Sequence, residues 1–261
     1  MSEHDQRPDR PAALITGAAR RIGARIARAF GEDGWHVVIH YHRSARAAEE
    51  LAATLPSAET VACDLSDHAA AAAMIAGLAE RLPDWRVLVN SASVFQRDEA
   101  SALDPATWTG AMRVNALAPA RMAQAFLACA RGRTGRRVIQ VTDQKLANPN
   151  PDFFSYTMSK HAAAATVPML AMGAARAEDR VYALAPGAIL ASHDQSEAET
   201  EVSHRLNLLR RKTGADEIAG ACLWLAQGWL ASGETLYVDS GQHLLSQPRD
   251  VIYLAREGAA A

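Results

Sequence analysis

The sequence predicts a doubly wound α/β protein: one domain of 261 residues on a single open parallel sheet of about seven strands. Two observations carry that expectation. Short apolar runs alternate with longer alanine-rich segments of helical period, the pattern left by parallel strands joined through crossover helices. Several runs are β-branched and continuously apolar, as strands buried on both faces are. A hydrophobic content of 49% in a chain of this length is enough for one sizeable core.

Taken in order, residues 1–11, MSEHDQRPDRP, are polar and read as a disordered arm, without the apolar stretch of a secretory signal. Strands are expected over 12–16, 36–41, 60–62, 87–90, 138–141, 181–185 and 235–238. The first crossover helix, 21–33, puts Ile22, Ile26, Ala29 and Phe30 on one face, and Gly34 supplies its stop. Further helices are expected over 67–81, 108–130, 154–177 and 216–226, with Asp67 and Asp216 as N-caps. One domain is expected over 12–245. Within it, 188–213 is the least patterned stretch and a candidate mobile substrate loop; its acids Asp194, Glu197, Glu199 and Glu201 read as solvated. Trp108, Trp224 and Trp229 read as core.

Composition removes several function classes. A net charge of −2 gives no basic field for a nucleic-acid backbone or an anionic membrane, and no apolar run reaches the roughly 18 residues of a membrane span. Cys63, Cys129 and Cys222 are odd in number and far apart, so neither disulfides nor zinc is expected and a reducing, cytoplasmic setting fits. His40 and His42 lie two apart with no third ligand in register, so no metal site is expected.

Thr16-Gly17-Ala18-Ala19-Arg20-Arg21-Ile22-Gly23 falls where the first strand meets the first helix, where a glycine turn lets backbone N–H groups approach a pyrophosphate. By itself such a turn also has a purely structural explanation. The end of the second strand strengthens it: an NAD site places a carboxylate about 20 residues on, whereas this chain has His40-Tyr41-His42-Arg43-Ser44. With no acid to repel a 2′-phosphate, and with Arg43 and Ser44 able to donate to it, the site favours NADPH; Arg21 is a candidate second cation. Tyr156 and Lys160, four apart at the start of a helix, share a face, so the ammonium is expected to lower the phenol's pKa toward working pH.

The glycine turn, Asn90-Ser91-Ala92-Ser93, Asn115, Tyr156-x3-Lys160 and Pro186-Gly187 stand in the order and spacing of the short-chain dehydrogenases/reductases, which the chain resembles over about 12–245. The resemblance implies a Rossmann-type fold and NADPH/NADP+ as cofactor. It makes Tyr156 the general acid, Lys160 the residue that binds the nicotinamide ribose and lowers the tyrosine pKa, and Asn115 part of a proton relay. It implies cofactor contacts for Arg20, Ile22, Gly23, His42, Asp64-Leu65, Asn90, Ser91, Ala92 and Pro186-Gly187.

Two departures narrow it. Arg21 stands where most members have a third glycine, and Asp143, thirteen residues before Tyr156, where most have a serine. Both, with TGAARRIG and HYHRS, resemble the pteridine and dihydromonapterin reductases; the segment Asn90–Phe95 then makes Phe95 a pterin-stacking platform beside Ser93. An ionised carboxylate would repel a developing alkoxide, so Asp143 with Tyr156 points to protonation of an imine-like nitrogen. The expected activity is reduction of a dihydropterin-like or dihydrofolate-like substrate. The alternatives are a carbonyl reductase in which Thr142 or a water replaces the missing serine, and a catalytically silent NADP-binding sensor. An enoyl-thioester reductase is disfavoured, because that relative uses a wider tyrosine-to-lysine spacing. The tail 246–261 carries an apolar patch, Val251-Ile252-Tyr253-Leu254, expected to seek a partner surface in a homodimer or homotetramer.

Overall fold

The computed structural model describes residues 10–192 and 195–259, so most of the arm and two loop residues, His193 and Asp194, lie outside the described residues. Its centre is a seven-stranded, wholly parallel sheet in the order β3-β2-β1-β4-β5-β6-β7. The strands are β1 (Ala12–Ile15), β2 (His36–Tyr41), β3 (Ala58–Ala62), β4 (Trp85–Asn90), β5 (Arg137–Val141), β6 (Arg180–Pro186) and β7 (Thr235–Val238). The order reverses between β1 and β4, and the connections on either side run to opposite faces, opening a crevice at the strands' carboxyl ends.

Each face of the sheet holds its own core. On one, Leu14, Val38, Leu88 and Val138 meet Ile75 and Leu78 of α3 (His68–Arg81), Met122 and Phe126 of α5 (Ala118–Cys129) and Val167 of α6 (Phe154–Gly173). On the other, Ile15, Val37, Val89 and Ile139 meet Ile26 and Phe30 of α1 (Arg21–Glu32), Leu51 of α2 (Ala45–Ala52) and Ile218 and Leu225 of α8 (Ala215–Ala226). The continuous apolar runs of the strands therefore feed both faces, as strands covered on both sides must.

Several boundaries differ from expectation for identifiable reasons. The predicted helix over 108–130 is three pieces: α4 (Pro105–Ala111), capped by Asp104, a π-helical segment (Met112–Leu117), and α5. Pro119 has no amide hydrogen and its ring crowds the carbonyl four residues back, that of Asn115, so the regular ladder widens there. Asp67 caps α3 as expected, accepting from Ala69 and Ala70 N–H at 3.0 Å. Asp216 does not cap α8. Gly214 holds that place, Glu217 reaches back to its N–H at 2.8 Å, and Asp216 in the first turn pairs with Arg25. The eight-residue α2 was not expected, and α6 stops at Gly173 rather than 177.

The stretch 188–213 is more organised than its sequence suggests. It contains α7 (Glu197–Ser203), opened by a reciprocal capping box between Ser196 and Glu199. Its acids are not merely solvated: Glu199 accepts from Arg256 at 2.6 Å, and Glu201 pairs with Arg205 and Lys212. The tail forms α9 (Val251–Ala259), whose Val251, Ile252 and Ala255 are buried within the same chain, so this patch does not need a partner subunit to cover it. Trp224 and Trp229, expected in the core, are 39% and 72% exposed, and Trp108 is half-buried against Phe154. Among the described residues no helix is long and apolar enough to cross a membrane.

Candidate active site

A cavity of about 910 Å³ opens where β1, β4, β5 and β6 end. Its first half is built from backbone. Thr16 Oγ accepts the N–H groups of Ser91 and Ala92, both at 3.0 Å, which draws the β4 exit against the β1–α1 turn. Gly17 sits at φ +66°, and a Cβ there would come within 2.9 Å of the Ala92 Cα; at Gly23 it would meet the Gly17 carbonyl oxygen at 2.5 Å. Only glycine fits either place. Arg20, Arg21, Ile22, His42, Arg43, Asp64, Leu65, Ser91, Ala92, Pro186 and Gly187 line the same cavity. Asp64 is held below the usual carboxylate range, first by hydrogen bonds from Ser66, then by the charges of His42, 3.7 Å away, and Arg43.

Two expected cofactor residues lie elsewhere. Ser44 stands at the start of α2 without a side-chain cap bond and off the cavity wall. Asn90 is buried at the end of β4, donating to the Pro119 carbonyl at 3.3 Å, and also does not line the cavity. Arg21 takes the left-handed conformation, φ 57°, where glycine is at ease, and its guanidinium donates to Ala191 O at 2.9 Å. It ties the glycine turn to the substrate loop in addition to facing the cavity. His40, at the end of β2, has a structural role that its strand position does not reveal. Buried at 2% exposure, it accepts from Gly17 N–H through Nδ1 at 3.1 Å and donates from Nε2 to Cys63 O at 3.1 Å. Burial lowers its pKa to about 4, so a neutral imidazole pins the turn to the end of β3. With both nitrogens engaged it is not a metal ligand, and the described residues hold no group of three suited to one.

The second half is built from side chains. Tyr156 lies in the first turn of α6, whose entry is fixed by Phe153 in the left-handed region, φ 53°, and by Asp98, which accepts from the Ser155 N–H and hydroxyl. The Tyr156 hydroxyl donates to Asp143 Oδ2 at 2.8 Å, and Asp143 Oδ1 accepts from Lys145 N–H at 2.8 Å. Lys160 Nζ donates to Val141 O at 2.7 Å and stands 5.7 Å from the centre of the Tyr156 ring. The expected lowering of the tyrosine pKa is reversed. Burial, then the Asp143 carboxylate on its hydroxyl, raise the Tyr156 pKa well above its ordinary value, while burial brings Lys160 down to about 8. Burial also raises Asp143. The geometry is that of a protonated phenol with an acid behind it, able to deliver a proton to an acceptor in the cavity.

Asn115, on the π-helical segment, does not touch Tyr156. Its amide accepts from Val94 N–H at 2.8 Å and Ser93 Oγ at 3.2 Å, and donates to Val94 O at 2.9 Å and Ser159 Oγ at 3.0 Å. It fixes the segment that carries Phe95. That ring stacks on Phe153 at 4.2 Å and meets Tyr156 edge to face at 4.7 Å, so one of its faces is already covered. Thr142 Oγ donates to Leu184 O at 3.2 Å and is committed there.

The comparisons agree with this geometry. The family model described as Enoyl-(Acyl carrier protein) reductase matches residues 17–243. The crystal structure of FolM alternative dihydrofolate reductase 1 from Brucella canis complexed with NADP superposes with a TM-score of 0.85 at 30% identity, over 92% of this chain and 96% of that one. Pteridine reductase 1 of Leishmania tarentolae is 28% identical, over 91% of this chain and 98% of its own. Galactitol 2-dehydrogenase (L-tagatose-forming) of Cereibacter sphaeroides is 31% identical, over 90% and 96%. The chain belongs to the short-chain dehydrogenase/reductase family, where it is similar to the pteridine reductases.

Proposed function

We propose that the protein is an NADPH-dependent reductase of a pterin-type C=N bond, as in a dihydropterin or a dihydrofolate-like substrate. The observation that carries the reading is the 2.8 Å hydrogen bond from the Tyr156 hydroxyl to Asp143. A carboxylate behind the donor suits a basic ring nitrogen, which needs a proton, and disfavours a carbonyl oxygen that gathers negative charge. The relatives named for pteridine and dihydrofolate reduction support the same substrate class.

The cradle fits a dinucleotide: two glycines where a Cβ would clash, and Arg20, Arg21 and Arg43 on the wall where an acid would repel a 2′-phosphate. When bound there, NADPH supplies the hydride. Lys160 would hold the ribose hydroxyls, and Arg43 would meet the 2′-phosphate. Tyr156 gives its proton to the substrate nitrogen as the neighbouring carbon becomes tetrahedral, so one hydride and one proton convert C=N to CH–NH. Asp143, whose pKa burial raises, orients the hydroxyl and, once protonated from solvent, returns a proton to the Tyr156 oxygen. Asn115 keeps the Ser93–Phe95 wall in place. The protein works as a homodimer or homotetramer, for which exposed Met169, Met172, Trp224 and Trp229 offer apolar surface, and in the cytoplasm, which three free cysteines suit.

The second reading, a carbonyl reductase, rests on the resemblance to galactitol 2-dehydrogenase. The commitment of the Thr142 hydroxyl to Leu184 O weighs against it, since the missing serine then has no stand-in on the chain. NADPH oxidation measured with dihydropterins, dihydrofolate and simple ketones, parent beside Asp143→Ser, tests both. Dihydropterin turnover that falls about 100-fold or more in the variant is the expected result, within the range that a positioned proton donor contributes. Turnover on ketones alone, undiminished in the variant, overturns the substrate assignment. NADPH binding without turnover on any substrate would favour a silent sensor.

A further inference from the structure

The C-terminal tail enters the active site. Gln247, Asp250, Val251 and Ile252 line the cavity that holds Asp143 and Tyr156. The tail is secured at two carboxylates. Arg249 forks onto Asp152 with bonds of 2.9–3.0 Å, the Asp250 N–H donates to the same carboxylate at 2.7 Å, and Arg256 joins Glu199 of α7 at 2.6 Å. Arg249 also lies 4.6 Å from the centre of the Tyr253 ring, which stacks in turn on Phe153, three residues before the catalytic tyrosine. A segment fixed on both sides of the cavity is a wall of it.

Asp250 is the charged group on that wall. Its Oδ1 accepts from Ile252 N–H at 3.1 Å and its Oδ2 lies 3.3 Å from Lys145 Nζ, a buried ammonium that also donates to Asp152 O at 2.6 Å. A carboxylate offers about four acceptor positions, so two remain open on a side chain still 16% exposed at the cavity. Lys145 belongs to the turn whose N–H holds Asp143, which places the two carboxylates on either side of one lysine residue. Asp250 is also close enough to the Tyr156 hydroxyl for its charge to help raise the phenol's pKa.

We infer that Asp250 is a substrate-positioning residue, and that its carboxylate accepts from the donor edge of a planar heterocycle carrying an exocyclic amine beside a ring N–H. This deepens the pterin reading and rests on it for the ring's class; the ligand it requires is an amidine-type donor pair, to which a carboxylate binds in a fork.

The test is chosen to separate the two ideas. Affinities of the protein saturated with NADP+ are measured for 2-aminopyrimidin-4-one and for pyrimidin-4-one, which lacks the amine, in the parent and in Asp250→Asn. The parent is expected to prefer the amine-bearing ring by about 10-fold or more, the scale of charge-assisted hydrogen bonds. The variant should bring the two affinities within about threefold while NADP+ affinity stays the same. Because removing one member of a buried pair can unfold a protein, the pair variant Lys145→Met/Asp250→Asn removes both charges together and should lose the preference likewise. A parent with no preference, or a preference that survives in a folded variant, overturns the inference. If the preference depends on Asp250 but no dihydropterin is turned over, the proposed reaction fails and the recognition stands.

Discussion

The two halves of the cavity are held by different kinds of force. The cofactor half is a backbone construction in which two glycines, the Thr16 hydroxyl and the His40 ring bring strand ends within contact distance, mostly through neighbours on adjacent strands. The substrate half is a side-chain construction tied across great sequence distance: Lys145 to Asp250, Asp152 to Arg249, Glu199 to Arg256. A backbone cradle is set by the fold and tolerates change around it. A side-chain lattice can be rebuilt one pair at a time, which allows one cofactor site to serve many substrates. The sharpest expected break between the halves is Tyr156→Phe. Losing the proton donor should lower kcat about 1,000-fold, within the range of general acid catalysis, while NADPH affinity shifts less than about threefold. Stopped-flow turnover beside a fluorescence titration of NADPH reads both; an equal loss in each would erase the division.

The second break comes from the other side. Arg43→Ala removes the cation that follows β2, a strand whose own end carries no carboxylate to bind a ribose hydroxyl. The ratio of kcat/KM for NADPH over NADH should fall about 10- to 100-fold, the worth of a charged hydrogen bond or two, with dihydropterin KM unchanged. If the ratio holds, Arg20 or Arg21 carries the discrimination instead.

The same division separates what could be read in the sequence from what could not. The strands, the glycine turn and the Tyr156–Lys160 face follow from local period and spacing, and all appear where expected. The π-helical segment was legible in principle, since Pro119 lies four residues after Asn115. The pin made by His40 was less so: a histidine in a strand has no local mark of a partner 23 residues away. The tail's cover within its own chain is not legible, because Val251 and Ile252 look unpartnered until α7, about 50 residues earlier, is folded against them. The direction of the tyrosine's pKa shift is not legible for a related reason. Spacing shows that Lys160 is near the ring, but not that it donates to Val141 O while Asp143 stands on the hydroxyl.

That reversal has a pH consequence. Lys160 loses its proton near pH 8 in the free enzyme rather than near its ordinary 10.5. The charged form, which the ribose and the Tyr156 phenolate need, is present below that value and lost above it. The kcat/KM for NADPH should therefore fall about tenfold per unit above pH 8, and Lys160→Arg should move that limb upward, because a guanidinium stays charged. A profile flat to pH 10 would mean that the Asp143 charge keeps Lys160 protonated against its burial.

The smallest effect expected is also where the two halves touch. Arg21 occupies a left-handed conformation at φ 57° and reaches Ala191 O at 2.9 Å, so one residue both strains the cofactor turn and tethers the substrate loop. The strain costs about 1 kcal/mol in a non-glycine residue, and glycine would relieve it while giving the unfolded chain more freedom to lose. These terms oppose each other, so Arg21→Gly should leave the melting temperature within about 2 °C, since 1 kcal/mol moves a protein of this size by only about 2–4 °C. The tether has no such compensation. Without it the loop over 188–192 keeps its bonds to Gln242 and Gln195 but loses its link to the glycine turn, and dihydropterin KM should rise about 3- to 10-fold, the scale of one hydrogen bond, with kcat nearly unchanged. If NADPH KM rises by that amount and dihydropterin KM does not, Arg21 belongs wholly to the cofactor half, and the boundary between backbone cradle and side-chain lattice runs on the other side of it.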